Sequence, residues 1–318
     1  MKNDNYARLS GFDFVFWGAF ILAAWIFPNH LPFLTLILIY GLFALALDIA
    51  LGYAGILTVG HAAFFGLGAY AAGLFSIYGS AEPLTGLVVA AIVSLLAGYL
   101  LSFLIVRGSD LSRLMITIGT VVIFGEVIRR FSQVTGGTDG LLGITIDPLF
   151  SLFEFDFDGK LSFVYTYVVT LALFFWVRRL VRSPFGYSVR GIHENPTRML
   201  AMGTPITQRL RWAYAISALI AGVAGALLAQ TNQFVGIETV SFDLSAQILI
   251  ILVLGGAGRL YGGLIGAVIY MLLHDVFADM SPEYWMFWLG LFLILIVSLG
   301  KGGIMTWIDT WRFRKEQS

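Results

Sequence analysis

The residues able to do chemistry are few, and most familiar catalytic designs are missing from them. The 318-residue chain has no cysteine, so disulfides, thiolate metal sites and cysteine nucleophiles are excluded. Its four histidines, His30, His61, His193 and His274, form no HExxH or other metal-ligand spacing. There is no GxSxG nucleophile elbow. A GxxxxGK run followed by Ser or Thr is also missing, which excludes a P-loop nucleotide site. What remains is a handful of ionisable groups set in long apolar runs, where charge is expensive and often functional. Asp48 is either a gating carboxylate or an interfacial one satisfied by nearby amides. His61, between Gly60 and Ala62, either lines a solute path or is a hydrogen-bonded core histidine. Glu126 precedes Arg129 and Arg130 by three and four residues, a spacing for helical ion pairs. The two arginines form either a self-neutralised, snorkelling cluster or a docking socket for acidic side chains of an external protein.

The elements that must hold these groups follow from composition. Hydrophobic residues make up 58% of the chain and charged residues 12%, about half the ordinary share of roughly 25%. A soluble fold of this size could not hide so much apolar surface, so the remainder must face lipid. Nineteen basic and nineteen acidic residues cancel, which argues against nucleic acid as a partner. The fold class expected is all-α, a polytopic transmembrane helical bundle in one domain covering 1–318. A bilayer core about 30 Å thick needs around 20 apolar residues per helix. Spans fall near 12–28, 31–51, 84–106, 112–134, 161–180, 210–230 and 283–300. Residues 54–79 are apolar but rich in glycine, and 243–274 is too long and too glycine-rich at 255–263 to be one straight helix. The second stretch reads as two short spans meeting at a turn. The first apolar run follows a basic tail (Lys2, Arg8) but lacks a small-residue cleavage site, so it reads as a span.

Charge placement sets orientation. Residues 178–211 hold seven arginines against Glu194 alone, and Lys301, Arg312, Arg314 and Lys315 follow in the C-terminal tail. The loop at about 135–160 is acidic instead, with Asp139, Asp147, Glu154, Asp156 and Asp158. Arginine-rich segments stay inside only if 243–274 crosses twice, giving about ten spans with both termini cytoplasmic. Small residues four apart, such as Ala218, Gly222 and Ala226, or Gly258, Gly262 and Gly266, read as helix seams.

The cytoplasmic loop, about 181–209, carries the sharpest local signal. Asn195 is a helix N-cap residue, Pro196 suits the first helical position, Gly203 a left-handed end, and Pro205 blocks continuation. A helix of about seven residues is marginal alone and needs a docking surface. Met199 and Met202 fall on one face, with Arg190, Glu194 and Arg198 at the rim. Such an element is either an amphipathic helix on the lipid surface or a stiff handle gripped by a cytoplasmic motor subunit.

Four blocks then carry a family resemblance: GYAGILTVGHAAFFGLGAY at 52–70, TGGTDGL at 135–141, the loop at 190–204, and GGAGRLYGGLIGA at 255–267. Their order and spacing resemble permease subunits of bacterial ATP-binding-cassette importers, in the branched-chain amino-acid and urea/amide branch, over roughly 40–300. Asp48, Ile56, Arg259 and Gly263 depart from that family's usual residues. The resemblance implies an inner-membrane, multi-pass subunit paired with a related permease subunit, two ATP-binding subunits and a periplasmic solute-binding protein. It implies no cofactor on this chain; ATP and Mg²⁺ are used by the ATPase partners. On that reading Arg190, His193, Glu194, Asn195, Arg198, Met199, Met202 and Gly203 couple to the motor. Arg129 and Arg130 dock the binding protein. His61, Thr138, Asp139, Asn232, Gln233 and Gln247 are candidates for the solute path, although the TGGTDGL segment reads equally well as a plain glycine turn. Asp48, Gly60, Gly255, Gly256, Gly258 and Gly262 are the expected gate and hinges of an alternating-access cycle. The lack of a charged cluster at mid-depth points to a small net-neutral solute. The competing design is a proton-coupled secondary carrier using Asp48 or Glu126, which would need no cytoplasmic handle.

Overall fold

The computed structural model describes residues 11–148 and 159–280, with short pieces at 283–284, 287–288 and 290–292. Among these residues the regular structure is helical, apart from one antiparallel bridge between Leu141 and Val235. The helices run α1 (Gly11–Ile26), α2 (Leu31–Asp48), α3 (His61–Tyr78), α4 (Pro83–Ile105), α5 (Asp110–Arg130), α6 (Ser132–Thr135), α7 (Lys160–Val181), α8 (Pro184–Glu194), α9 (Pro196–Ala201), α10 (Ile206–Asn232), α11 (Phe242–Gly255) and α12 (Gly262–Met280). Among the described residues, seven helices are long and apolar enough to cross a membrane, and α1 and α11 are shorter apolar helices. The span expected at 283–300 lies largely outside the described residues. So do both tails and the acidic residues Glu154, Asp156 and Asp158.

Helix α10 is the axis of the bundle, packing most extensively on α4 and α3. Its small-residue rows make that approach possible. A methyl group on Gly222 would strike the Ser94 hydroxyl, and one on Gly225 would strike the Phe65 carbonyl. Gly68 of α3 likewise lies against the Gly222 backbone. The glycines are therefore where backbones touch, as expected where lipid removes the hydrophobic drive for helix association.

Two breaks depart from this regularity. Helix α2 ends in a π turn, Ile49–Tyr53, where the Ala54 amide reaches the Ile49 carbonyl at 3.1 Å. An irregular segment follows, so of the 54–79 stretch only His61–Tyr78 is helical. Helix α11 has 14 residues, about 21 Å at 1.5 Å per residue, and so falls short of a full crossing. It turns back at Gly256 (φ 108°) and Gly258 (φ 77°), backbone angles that L side chains resist. Gly255 and Gly266 then seat against the Gly262 and Ile251 carbonyls, closing the α11–α12 hairpin. Helix α5 stops at Arg130 rather than near 134, because Phe131 (φ −94°, ψ 39°) leaves the helical region.

Candidate functional site

The two breaks meet. Asp48, fully buried at the end of α2, accepts a hydrogen bond from the Gly258 amide at 2.6 Å. Gly52 is pressed between the Asp48 carboxylate and the Gly258 backbone, leaving no room for a side chain. Of the expected gate and hinge residues, Asp48 and Gly258 thus form one contact, with the hairpin tip held against the π turn, while Gly255 and Gly262 pack on each other and Gly60 lies elsewhere, against Thr117. One oxygen of Asp48 accepts an amide that belongs to the glycine turn rather than to its own helix, while Oδ2 is buried with no hydrogen-bond partner, so the carboxylate is only half met by amides.

A second buried carboxylate grips the same tip. Asp13 of α1 accepts from Arg178 Nη1 of α7 at 2.6 Å and from the Tyr261 hydroxyl. Phe16, Trp17, Phe174 and Tyr261 pack around it, edge to face except for the tilted pair of Phe174 and Tyr261. Asp13 and Arg178 have side chains 4% and 10% exposed, so this is a desolvated ion pair. Sequence reasoning missed it, counting Arg178 only as a topology signal. The available signal was an acid in the first turn of an apolar helix with no basic residue three or four positions away.

His61 is 1% exposed and satisfied at both nitrogens. Nε2 lies 2.6 Å from the Ser217 hydroxyl, which itself donates to the Ala46 carbonyl at 2.5 Å. Ser217 must therefore accept from Nε2–H, leaving Nδ1 to accept from Thr58 at 3.3 Å. The Val59 amide donates to Thr117 of α5 and the Ala62 amide donates to Ser245 of α11, so the irregular segment and the first turn of α3 borrow acceptors from neighbouring helices. This is how non-helical backbone survives at membrane depth. Gly60 has no alternative side chain, since its Cβ would enter the Thr117 carbonyl.

The expected solute-path residues fall into separate places. Leu141 and Val235 exchange backbone hydrogen bonds at 2.8 and 3.3 Å in an antiparallel bridge, which sets the turn of the exposed Thr138 and Asp139 against Ile237–Val240 rather than against the exposed Asn232 and Gln233. That loop packs on Gly73 of α3 through Leu141 and Ile144. Gly73 lies twelve residues beyond His61, about 18 Å along the helix. Gln247 is half-buried on α11 and meets the Tyr270 hydroxyl. Arg129 pairs with Glu126 at 3.5 Å, and both are exposed, as is Arg130.

At the arginine-rich end the capped helix is present: the Asn195 side chain accepts from the Arg198 amide at 2.9 Å, and Gly203 has φ 78°. Two expectations need correction. The element is a pair of helices, because Ser183 caps and Pro184 opens α8 directly before α9. Met199 and Met202 do not share a free face. Met199 turns inward onto Gly191, whose missing side chain makes the slot, while Met202 sits beyond the last turn. The exposed apolar groups are Tyr187, Leu200 and Met202, with Glu194 and Arg198 beside them. Helix α8 touches the π turn and the segment after it: the Arg190 guanidinium lies 5.1 Å from the Tyr53 ring centroid, and the His193 ring lies over Gly55 (φ 66°). Burial, then the charge of Arg178, draws the Arg182 guanidinium below its ordinary pKa.

Among the described residues, a multi-pass helical bundle whose two broken helices interlock beside a capped helix pair at the arginine-rich end defines an integral membrane protein. Residues 29–297 match the family described as the branched-chain amino acid transport system permease component, and the chain belongs to that family. It is 29% identical over 313 residues to the high-affinity branched-chain amino acid transport system permease protein LivM of Salmonella typhimurium, covering 90% of this chain and 72% of that one. It is 29% identical over 296 residues to the Escherichia coli LivM permease protein, covering 85% and 68%. A probable LivH permease protein of Methanocaldococcus jannaschii is 30% identical over 190 residues, covering 57% and 58%. No solved structure matches.

Proposed function

We propose that this chain is the membrane-spanning subunit of an ATP-driven importer of a small net-neutral solute, a branched-chain amino acid or a related amide. It works beside a related permease subunit, two cytoplasmic ATP-binding subunits and a periplasmic solute-binding protein, in the inner membrane with both termini cytoplasmic. It performs no hydrolysis; ATP and Mg²⁺ are handled by the partners. The observation carrying this reading is the capped α8–α9 pair, which offers Tyr187, Leu200 and Met202 outward and presses Arg190 and His193 inward on Tyr53 and Gly55. A handle with an exposed grip and an inward contact on a broken helix suits an external motor.

In the cycle, the binding protein docks near Arg129 and Arg130 and releases solute beside Thr138, Asp139, Asn232 and Gln233. Motor closure then moves α8–α9, and the glycine-bounded segments yield around the contact of Asp48 with Gly258. The test is solute uptake into vesicles holding the assembled complex. Uptake should stop on ATP depletion and survive a protonophore. Uphill transport by the isolated chain, collapsing with a protonophore, would establish a secondary carrier instead. Arg129→Glu with Arg130→Glu should abolish stimulation of ATP hydrolysis by the binding protein while assembly persists; unchanged stimulation removes the docking role.

A further inference from the structure

A cavity of about 380 Å³ opens at the arginine-rich end, between the end of α7, the start of α8 and the first turns of α10. Its apolar wall is Leu180, Phe185, Trp212 and Ile216, its polar edge is Gln208 and Arg209, and no acid lines it. The Arg209 guanidinium lies over the Phe185 ring at 5.6 Å from its centroid, and its Nε is buried without a hydrogen-bond partner. The rest of this half-buried guanidinium edges the cavity with no acid lining it, and an anionic oxygen is the partner that would pair with it best. Helix α10 begins here after Pro205 with no side chain capping its first amides, which adds further free donors.

The apolar wall continues outward. Val164, Val168, Ala172 and Trp176 stand exposed on α7 four residues apart, one row leading to Leu180. Trp176 and Trp212 are both partly exposed near the level where indole rings favour the membrane boundary. A cationic, acid-free pocket at the base of a lipid-facing apolar track matches one molecule with a charged head and a hydrocarbon tail.

We propose that this cavity binds an anionic phospholipid of the cytoplasmic leaflet, with the phosphate at Arg209 and Gln208 and an acyl chain along Leu180 and the α7 row. It rests on the arginine-rich end facing the cytoplasm and is independent of which solute is moved. The test is native mass spectrometry of the purified full chain during graded delipidation with phosphatidylglycerol or phosphatidylcholine. The wild-type chain should retain one phosphatidylglycerol, with Arg209→Gln lowering its occupancy at least tenfold and Arg209→Lys keeping most of it. Ile216→Trp, which fills the pocket and leaves the cation intact, should also expel the lipid, so misfolding of one variant does not decide the outcome. Equal retention by wild type, Arg209→Gln and Ile216→Trp overturns the proposal. Displacement of the lipid by millimolar inorganic phosphate alone would make the site one for a free anion and also overturn it. Loss of crosslinks from a photoactivatable acyl chain once the partner permease is bound would assign the surface to that subunit instead.

Discussion

Replacing Asp48 by alanine should loosen the α11–α12 turn selectively. The carboxylate accepts the Gly258 amide at 2.6 Å in a fully buried setting. A hydrogen bond contributes about 0.5–1.5 kcal/mol to a neutral acceptor and about 1.5–3 kcal/mol to a charged one, and a buried amide left unpaired costs about 1–3 kcal/mol. Taking about 2 kcal/mol, the turn's local opening should become roughly 30-fold more frequent, since 1.4 kcal/mol is a factor of ten. Asp48→Asn keeps a side-chain oxygen in the same place and should remain within a few fold of wild type. The assay is amide hydrogen exchange on the full chain in nanodiscs, following peptides that cover 255–262 with those covering 83–105 as the internal control. Asp48→Ala should accelerate the first set and leave the second unchanged. If the turn exchanges at the wild-type rate in Asp48→Ala, the contact does not hold it. If Asp48→Asn is as fast as Asp48→Ala, charge and not acceptor geometry is what matters.

Three further outcomes follow from the same contacts. Asn195→Ala removes the cap on the Arg198 amide and should destabilise α9 by about 1 kcal/mol, read as faster exchange over 196–201. Arg178→Leu alone leaves Asp13 buried without its cation and should cost about 3–5 kcal/mol, seen as a lower melting temperature; Asp13→Leu with Arg178→Leu should recover most of it. Gly222→Val drives a branched side chain into Ser94 and Ala90 and should cost at least about 1–3 kcal/mol, whereas Gly119→Ala, with open space around it, should be nearly silent in the same melting experiment.

What could be read from the sequence was local. Runs of about 20 apolar residues located the long helices because lipid allows few other backbone solutions. Asn195, Pro196 and Gly203 located α9 because capping is settled within four residues. Ser183 and Pro184 spelled the start of α8 by the same chemistry and were passed over. The inward turn of Met199 was not legible, since it depends on a slot left by Gly191 on the preceding helix. The ion pair of Asp13 with Arg178 joins residues 165 apart, and the bond of Asp48 to Gly258 spans 210. No periodicity encodes such partners. His61 shows the limit most clearly: its neighbours in sequence say nothing of Ser217, which fixes its hydrogen bonding.

These contacts close into a ring, and their unequal strengths indicate where it gives way. Helix α7 carries Arg178, which holds Asp13, which holds Tyr261 in the α11–α12 turn. The turn holds Asp48 through Gly258, and Asp48 continues into Tyr53 and Gly55. Arg190 and His193 of α8 lie on those two residues, and α8 follows α7 after two intervening residues, Arg182 and Ser183. Motion of α8 must therefore carry the turn with it or break one link. The ion pair and the carboxylate–amide bond are each worth more than about 1.5 kcal/mol to break. The contact of Arg190 with Tyr53 combines a cation–π contact, about 0.5–1 kcal/mol at an exposed arginine, with a side-chain hydrogen bond, and the exposed arginine can exchange both for water. The link of Arg190 to Tyr53 should yield first, with α8 sliding across the π turn while the hairpin tip stays clamped by Asp13 and Asp48. A π turn suits this duty, since its surplus residue lets the end of α2 change register without losing its backbone hydrogen bonds wholesale. Small motions of the α8–α9 pair are then absorbed at Tyr53, and only a displacement large enough to drag Gly55 reaches the buried carboxylate.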